Sequence, residues 1–433
     1  MTPAARLAAA IEVLTEIEGK KRPAPDALRE WGQTHRFAGS GDRGAIGSLM
    51  FDALRRRASS AFLMGAETPR AILLGALRLS RNMSVEEISK LADGSRFAIA
   101  PLSEDERKRL ETGSLAKAPP HVAGDYPEWL DTQLAGVFGE ERWQEGMALA
   151  ARAPLDLRVN TLKNNRDEVV KELSHLNAQA ARWSPIGLRI ELGSDGRQPP
   201  VTSEPSFLKG DFEVQDEGSQ LASLFAGAEP GTQVLDLCAG AGGKTLSLAA
   251  HMESKGQLFA YDSDLRRLAP IHERLKRADA RNVQVRSPKG KQDVLSDLAG
   301  NMDLVVIDAP CTGTGVWRRH PDAKWRIRPG ALEIRQREQS ALLDDAARFV
   351  KPGGRLVYIT CSILDAENGA QIRAFRERNS AYEIVSPNEV VKALGENAMI
   401  FARAAKLTDE GIQMTPRRTG TDGFFVSVLR KIN

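Results

Sequence analysis

A chain of 433 residues, 42% of them hydrophobic, is too long for one small domain and allows two or three, because single cores seldom grow past ~250–300 residues. Three cysteines, at 238, 311 and 361, exclude a disulfide framework, and no Cys/His spacing resembles a zinc site, so a reducing compartment and no metal are expected. The net charge of +3 is too mild to demand a polyanionic partner, but residues 1–100 hold 15 Lys/Arg against 11 Asp/Glu, whereas the remainder holds 45 against 46.

The first residues, MTPAARLAAAIEVLTEIEGKKRP, are rich in Ala and Leu, yet Glu12, Glu16 and Glu18 interrupt any secretory core or membrane span. A cytoplasmic protein without a membrane partner is therefore expected. From Ala4 to about Leu110 apolar residues recur at helical spacing in RLAAAIEVLTEI, AIGSLMFDALRRR and PRAILLGALRLS, which predicts an all-helical domain. Thr112 to Trp129 then collects Gly, Pro and small residues without periodicity, as a linker does, and a boundary is placed at residue 124.

A second unit, 125–219, reads as a small α/β module: strand LDLRVNTL, helix RDEVVKELSHL, strand IGLRIEL. From 220 to 433 buried apolar runs alternate with amphipathic helices. The strands TQVLDLC, QLFAYD, NVQVR, MDLVVID and GRLVYIT predict a doubly wound α/β domain with a parallel sheet covered on both faces.

Within that domain, VLDLCAGAGGKT (Val234 to Thr245) joins a buried strand to a helix through a turn of small residues, which lets a backbone approach a ligand and offers unpaired N–H groups. Three ligand classes use such a loop. A P-loop of an ATPase requires G-x-x-x-x-G-K-[ST], and only the first glycine, Cys238 here, fails. A dinucleotide loop places its third glycine at Thr245 and fits less well. S-adenosylmethionine needs the small residues Cys238, Ala239, Gly240, Ala241, Gly242 and Gly243 with Lys244, and an acidic residue after the next strand for the ribose. Asp262 stands 20 residues after Gly242.

Cys311, in LVVIDAPCTGTG, and Cys361, in GRLVYITCS, each follow a parallel strand, where ligands of open α/β sheets bind. One such thiol would pass as packing filler, but two at equivalent positions beside the proposed cofactor loop point to one ligand.

These residues resemble the Sun/Nop family of S-adenosylmethionine-dependent RNA 5-methylcytosine methyltransferases, from roughly Leu155 onward. The resemblance is carried by DLCAGAGGKT, DAPCTGTG, TCS and TPRRTGTDGFF, with LRVNTLK similar to the family's RNA-side module. The helical start more weakly resembles the NusB-like RNA-binding domain of the bacterial ribosomal RNA small subunit methyltransferase B type. The resemblance implies a Rossmann-like methyltransferase domain in which Cys361 is the nucleophile, Cys311 assists release, and Asp308 is the acid near cytosine N3, close also to the cofactor. DNA cytosine-5 methyltransferases instead put the attacking thiol in a Pro-Cys pair, which would favour Cys311. Two departures stand out: SPKGKQD after NVQVR holds no carboxylate where the family places one against adenine, and Ala241 replaces a common proline.

The stretch WRRHPDAKWRIRPGALEIRQR holds seven Lys/Arg against two Asp/Glu and two tryptophans, so Arg318, Arg319, Lys324 and Arg326 are expected to face RNA. Ribosomal RNA of the small subunit is the expected partner. A transfer RNA methyltransferase, a P-loop ATPase and a non-catalytic RNA-binding assembly factor remain the alternatives at this point.

Overall fold

The computed structural model describes residues 1–193, 196–290 and 292–432. The chain divides into two compact units. One comprises Met1–Ala153, Leu192–Arg197 and Trp317–Ile327; the other comprises Pro154–Glu191, Gln198–Val316 and Arg328–Asn433.

The first unit is helical, as its periodicity requires. Its principal helices are Pro3–Lys20, Ala24–Thr34, Ser40–Arg55, Arg57–Met64, Pro69–Arg81 and Glu104–Thr112. Thr68 caps the Pro69 helix through its hydroxyl, and Ser84 and Glu87 form a reciprocal capping box on Val85–Leu91. Leu7, Val13, Ile46, Met50, Leu74 and Ile88 meet in one core, against which Trp325 also packs. This unit runs past residue 124 to Ala153, for an electrostatic reason. Asp125 is buried and accepts from Ser59 N at 3.0 Å and Ser59 Oγ at 2.6 Å, while Arg152 pairs with Asp52 at 2.7 Å, the carboxylate that Arg81 also holds at 2.9 Å.

The second unit carries two sheets. In the smaller, strands β1 (Leu155–Val159), β2 (Gln179–Ala180), β3 (Gly187–Ile190) and β4 (Phe212–Val214) run antiparallel in the order β2-β3-β1-β4. The larger sheet contains β5 (Gln233–Asp236), β6 (Gln257–Tyr261), β7 (Val283–Arg286), β8 (Met302–Asp308), β9 (Val350–Thr360), β10 (Tyr382–Ile384), β11 (Lys406–Leu407), β12 (Ile412–Met414) and β13 (Phe424–Lys431). Its order is β11-β12-β13-β9-β8-β5-β6-β7, with β10 on β13. From β7 to β9 every pairing is parallel. Leu304, Val306, Val357 and Ile359 join one buried cluster, and Val305, Ile307, Leu356 and Tyr358 another, so both faces of the central strands are covered.

Two features depart from expectation. β13 pairs antiparallel with β9, Phe425 opposite Thr360, so the parallel sheet carries an antiparallel extension. The predicted helix through LRRLAPIHERLKRA breaks into Leu265–Leu268 and Ile271–Ala278, because Pro270 cannot donate the hydrogen bond that continuity needs. Among the described residues no helix is long and apolar enough to cross a membrane, and no cluster of three His, Cys, Asp or Glu could hold a metal ion.

Candidate active site

β5 delivers the chain into the turn Cys238–Gly242, and the helix Gly243–His251 leaves it. Gly242 adopts φ +85°, and a Cβ there would fall 2.6 Å from Ile271 Cγ1, so the tight turn excludes a side chain. Gly240 N donates to Asp262 Oδ2 at 2.9 Å, and Asp264 N to Asp262 Oδ1 at 2.9 Å, which fixes the buried Asp262 carboxylate after β6 beside the loop. Arg274 Nη1 holds Ala241 O at 2.9 Å. The expected loop residues Cys238, Ala239, Gly240, Ala241, Gly242, Gly243 and Lys244 are thus gathered with Asp262. Burial, and then the charges of Asp236 and Asp308, push the Cys238 thiol upward, which suits packing rather than attack.

Asp236, which sequence reasoning passed over, closes β5. It is fully buried, accepts from Thr245 Oγ at 2.7 Å through Oδ2, and leaves Oδ1 without a partner. Desolvation first, then the nearby Asp308 and Asp262 charges, push it up to about 7. Lys244 Nζ donates to Asp308 Oδ2 at 2.7 Å and lies 5.1 Å from the centre of the Phe424 ring.

This donor set discriminates among ligands. A polyphosphate would meet three carboxylates, and the lysine that a P-loop aims at phosphate is already paired, so the loop does not suit ATP. S-adenosylmethionine fits, since its sulfonium and ammonium are cations and its ribose hydroxyls are donors. Asp262 is an acceptor beside the loop that could hold a ribose, and the buried Asp236 Oδ1 has no hydrogen-bond partner of its own.

The two thiols meet where β8 and β9 end. Cys311 Sγ and Cys361 Sγ are 3.3 Å apart. Gly315 N donates to Cys361 O at 2.9 Å, and Gly423 N to Gly315 O at 2.8 Å. A Cβ on Gly315 would strike Gly423 O at 2.0 Å, so glycine permits this approach. The hydrogen bond to Cys361, then burial, then the charges of Cys361 and Glu367, push Cys311 well above the ordinary thiol range, so Cys311 keeps its proton. Glu367 is fully buried and receives donors from both cysteine loops; no local pattern in the sequence marks it.

The first part of the basic stretch that follows is interior, while Arg326, Arg328 and Arg337 are exposed. Trp317, Arg318 and Lys324 are buried, within a segment that belongs to the helical unit. There Trp325 Nε1 donates to Leu54 O at 2.7 Å, and Ala24 N donates to Asp322 Oδ2 at 3.1 Å. Arg318 and Lys324 are therefore corrected from RNA-facing to interior residues. Arg319 is partly buried, and the exposed Arg326 pairs with Asp322 at 3.0 Å. After β7 no carboxylate stands before Asp293, and that one pairs with Arg348 at 2.8 Å.

Comparison with known proteins bears on this geometry. Residues 224–430 match a family described as 16S rRNA methyltransferase RsmB/F, and residues 126–195 match the ferredoxin-like domain of RsmF/B-like methyltransferases. The ribosomal RNA small subunit methyltransferase B of Vibrio vulnificus is 33% identical over 323 residues, covering 72% of this chain and 68% of that protein. A probable ribosomal RNA small subunit methyltransferase B from Synechocystis sp. is 28% identical over 359 residues, covering 82% of this chain and 76% of the relative. Among solved structures, PH0851 superposes with a TM-score of 0.73 at 26% identity, covering 100% of this chain and 99% of its own. A methyltransferase homolog protein from Pyrococcus horikoshii gives 0.57 at 27% identity, covering 72% of this chain and 97% of its own.

Proposed function

Because this chain belongs to the RsmB/F family of 16S rRNA methyltransferases, and is an S-adenosylmethionine-dependent RNA methyltransferase, we propose that it methylates C5 of a cytosine in small-subunit ribosomal RNA through a covalent cysteine adduct. The observation that carries the reading is the pair of thiols at 3.3 Å beside the Lys244–Asp308 ion pair.

Cytosine C5 is a poor nucleophile, and addition of a thiolate to C6 turns the ring into an enamine that attacks from C5. Cys361 Sγ makes that addition once its thiol proton has left to solvent, while N3 takes up a proton that Lys244 Nζ passes on through Asp308 Oδ2. When bound, S-adenosylmethionine supplies an electrophilic methyl group; Asp262 would hold its ribose and Asp236 its ammonium. Cys311, a thiol in the free protein, loses its proton to solvent after the adduct has formed and, as the thiolate, takes up the C5 proton. The Cys361–C6 bond breaks, the enamine re-forms the aromatic ring, and N3 returns its proton. The NusB-like reading of the first unit supports ribosomal RNA as the substrate, with residues 1–124 selecting it.

The test supplies the purified chain with methyl-labelled cofactor and either deproteinised small-subunit ribosomal RNA or bulk transfer RNA, followed by nucleoside mass spectrometry. 5-Methylcytidine in the ribosomal RNA is expected. Label confined to transfer RNA, or carried on another base position, overturns the reading.

A further inference from the structure

The mechanism does not use the buried acid that joins the two cysteine loops. Glu367 lies in a single helical turn, Asp365–Glu367, six residues after Cys361, and is 0% exposed. Its Oε1 accepts from Thr312 N at 2.8 Å and from Gln339 Nε2 at 3.1 Å. Its Oε2 accepts from the Thr312 hydroxyl and, at 2.6 Å, from Ser362 Oγ. Thr312 and Ser362 are the residues that follow Cys311 and Cys361, so one carboxylate receives both thiol-bearing segments. The same segments are bound again by Thr314 Oγ, 3.0 Å from Ser362 Oγ, and Gln339 also donates to Pro310 O at 3.0 Å. Among the described residues no cation lies within 4 Å of the Glu367 carboxylate; hydrogen bonds alone satisfy it, which is the arrangement that fixes geometry rather than one that neutralises charge.

We propose that Glu367 is the positioning residue that pins the Cys311 loop and the turn after Cys361 to a single buried acceptor, and so sets the separation of the two thiols on which adduct formation and release depend. The inference rests on the two-thiol reading of the site. Glu367 touches neither substrate nor cofactor in this role. It acts through Thr312 and Ser362, each one bond along the chain from a cysteine.

Two substitutions separate this role from general stability. Glu367→Gln keeps the shape and the pattern: its carbonyl oxygen takes the Thr312 N–H and the Gln339 amide, and its NH2 faces two hydroxyls that can turn to accept. Glu367→Ala removes all four acceptor contacts. The thiol separation is read by disulfide capture with a diazene oxidant. The two thiols release two protons and two electrons, the oxidant takes up both and becomes a hydrazine, and the new Cys311–Cys361 bond is mapped by peptide mass spectrometry. Closure requires the sulfurs to reach ~2.05 Å, so its rate follows their approach.

Glu367→Ala is expected to slow capture at least tenfold and lower kcat about 100-fold, the order that follows a misplacement of about 1 Å, with KM for the cofactor unchanged. Glu367→Gln is expected to restore capture to within twofold of the natural chain and most of kcat. Capture at the natural rate in Glu367→Ala, or a Gln variant as slow as the Ala variant, overturns the proposal. Should Glu367→Ala fail to fold, Thr312→Val removes one donor only; slower capture supports the proposal and unchanged capture overturns it. Capture needs no RNA, so it decides the role of Glu367 even where the cytosine assignment fails.

Discussion

Lys324 donates from Nζ to the main-chain carbonyl of Arg55, 2.8 Å away and 269 residues earlier in the chain. Burial pushes its ammonium down to about 7, partly offset by the Asp125 charge, so this lysine is an internal strut and not a phosphate contact. Lys324→Ala should therefore destabilise the helical unit by about 2–4 kcal/mol, from lost stem packing and a lost hydrogen bond. It should leave the salt dependence of RNA binding unchanged, whereas removing a true phosphate contact lowers that slope by about one. Thermal melts and filter binding across salt concentrations check both; a reduced slope at full stability would return Lys324 to the RNA surface.

The two cysteine variants should fail differently. Cys361→Ala should neither methylate nor form a protein–RNA band that survives denaturing electrophoresis. Cys311→Ala should accumulate that band when RNA and cofactor are both present, because the adduct forms but the C5 proton has no acceptor. The reverse pattern would exchange the two roles.

Asp262→Ala should weaken cofactor binding by about 1.5–3 kcal/mol, the range for a hydrogen bond to a charged group. The variant also frees the amides of Gly240 and Asp264 that the carboxylate now holds, so calorimetry is paired with circular dichroism. Unchanged affinity with an intact fold would remove Asp262 from the site.

Cofactor affinity should depend on pH through Asp236. In the free protein desolvation raises this group to about 7, above its unfolded value of 3.8. The stability it contributes is therefore present below that lower value and is lost as pH rises through about 7, while the carboxylate that attracts a cation appears over the same interval. Affinity for S-adenosylmethionine should rise about tenfold per pH unit below that point and flatten above it. Titrations at several pH values should show the slope in the natural chain and not in Asp236→Asn; identical profiles would exclude Asp236 as a ligand.

Which of these features can be read from the sequence follows from how local their causes are. The loop from Val234 to Thr245 announces itself because a buried strand, a run of small residues and a helix start are neighbours in the chain. Cys311 and Cys361 are legible because each follows an apolar run at the same offset, and β8 and β9 are adjacent. β13 is not legible as a neighbour of β9, since only long-range pairing turns Phe424–Lys431 antiparallel to it. Glu367 sits in a short turn among small and polar residues and gains its meaning only when Thr312, Ser362 and Gln339 converge on it. The stretch after Cys311 misleads for the opposite reason: counting its cations ignores the backbone carbonyls and Asp322 that receive it.

That stretch also imposes an order of events during synthesis. Trp317–Ile327 belongs to the helical unit whose main body ends at Ala153, so this unit lacks part of its interior until a segment made much later has emerged. At about 5–20 residues per second the ribosome needs roughly 10–30 s to cross the intervening chain. During that interval Leu54 O and Arg55 O have no indole or ammonium to receive, and the face that will hold Trp325 stays wet. The amino-terminal unit is thus among the first to be translated and among the last to be finished, and its completion is timed by passage of the Cys311 loop that immediately precedes Trp317.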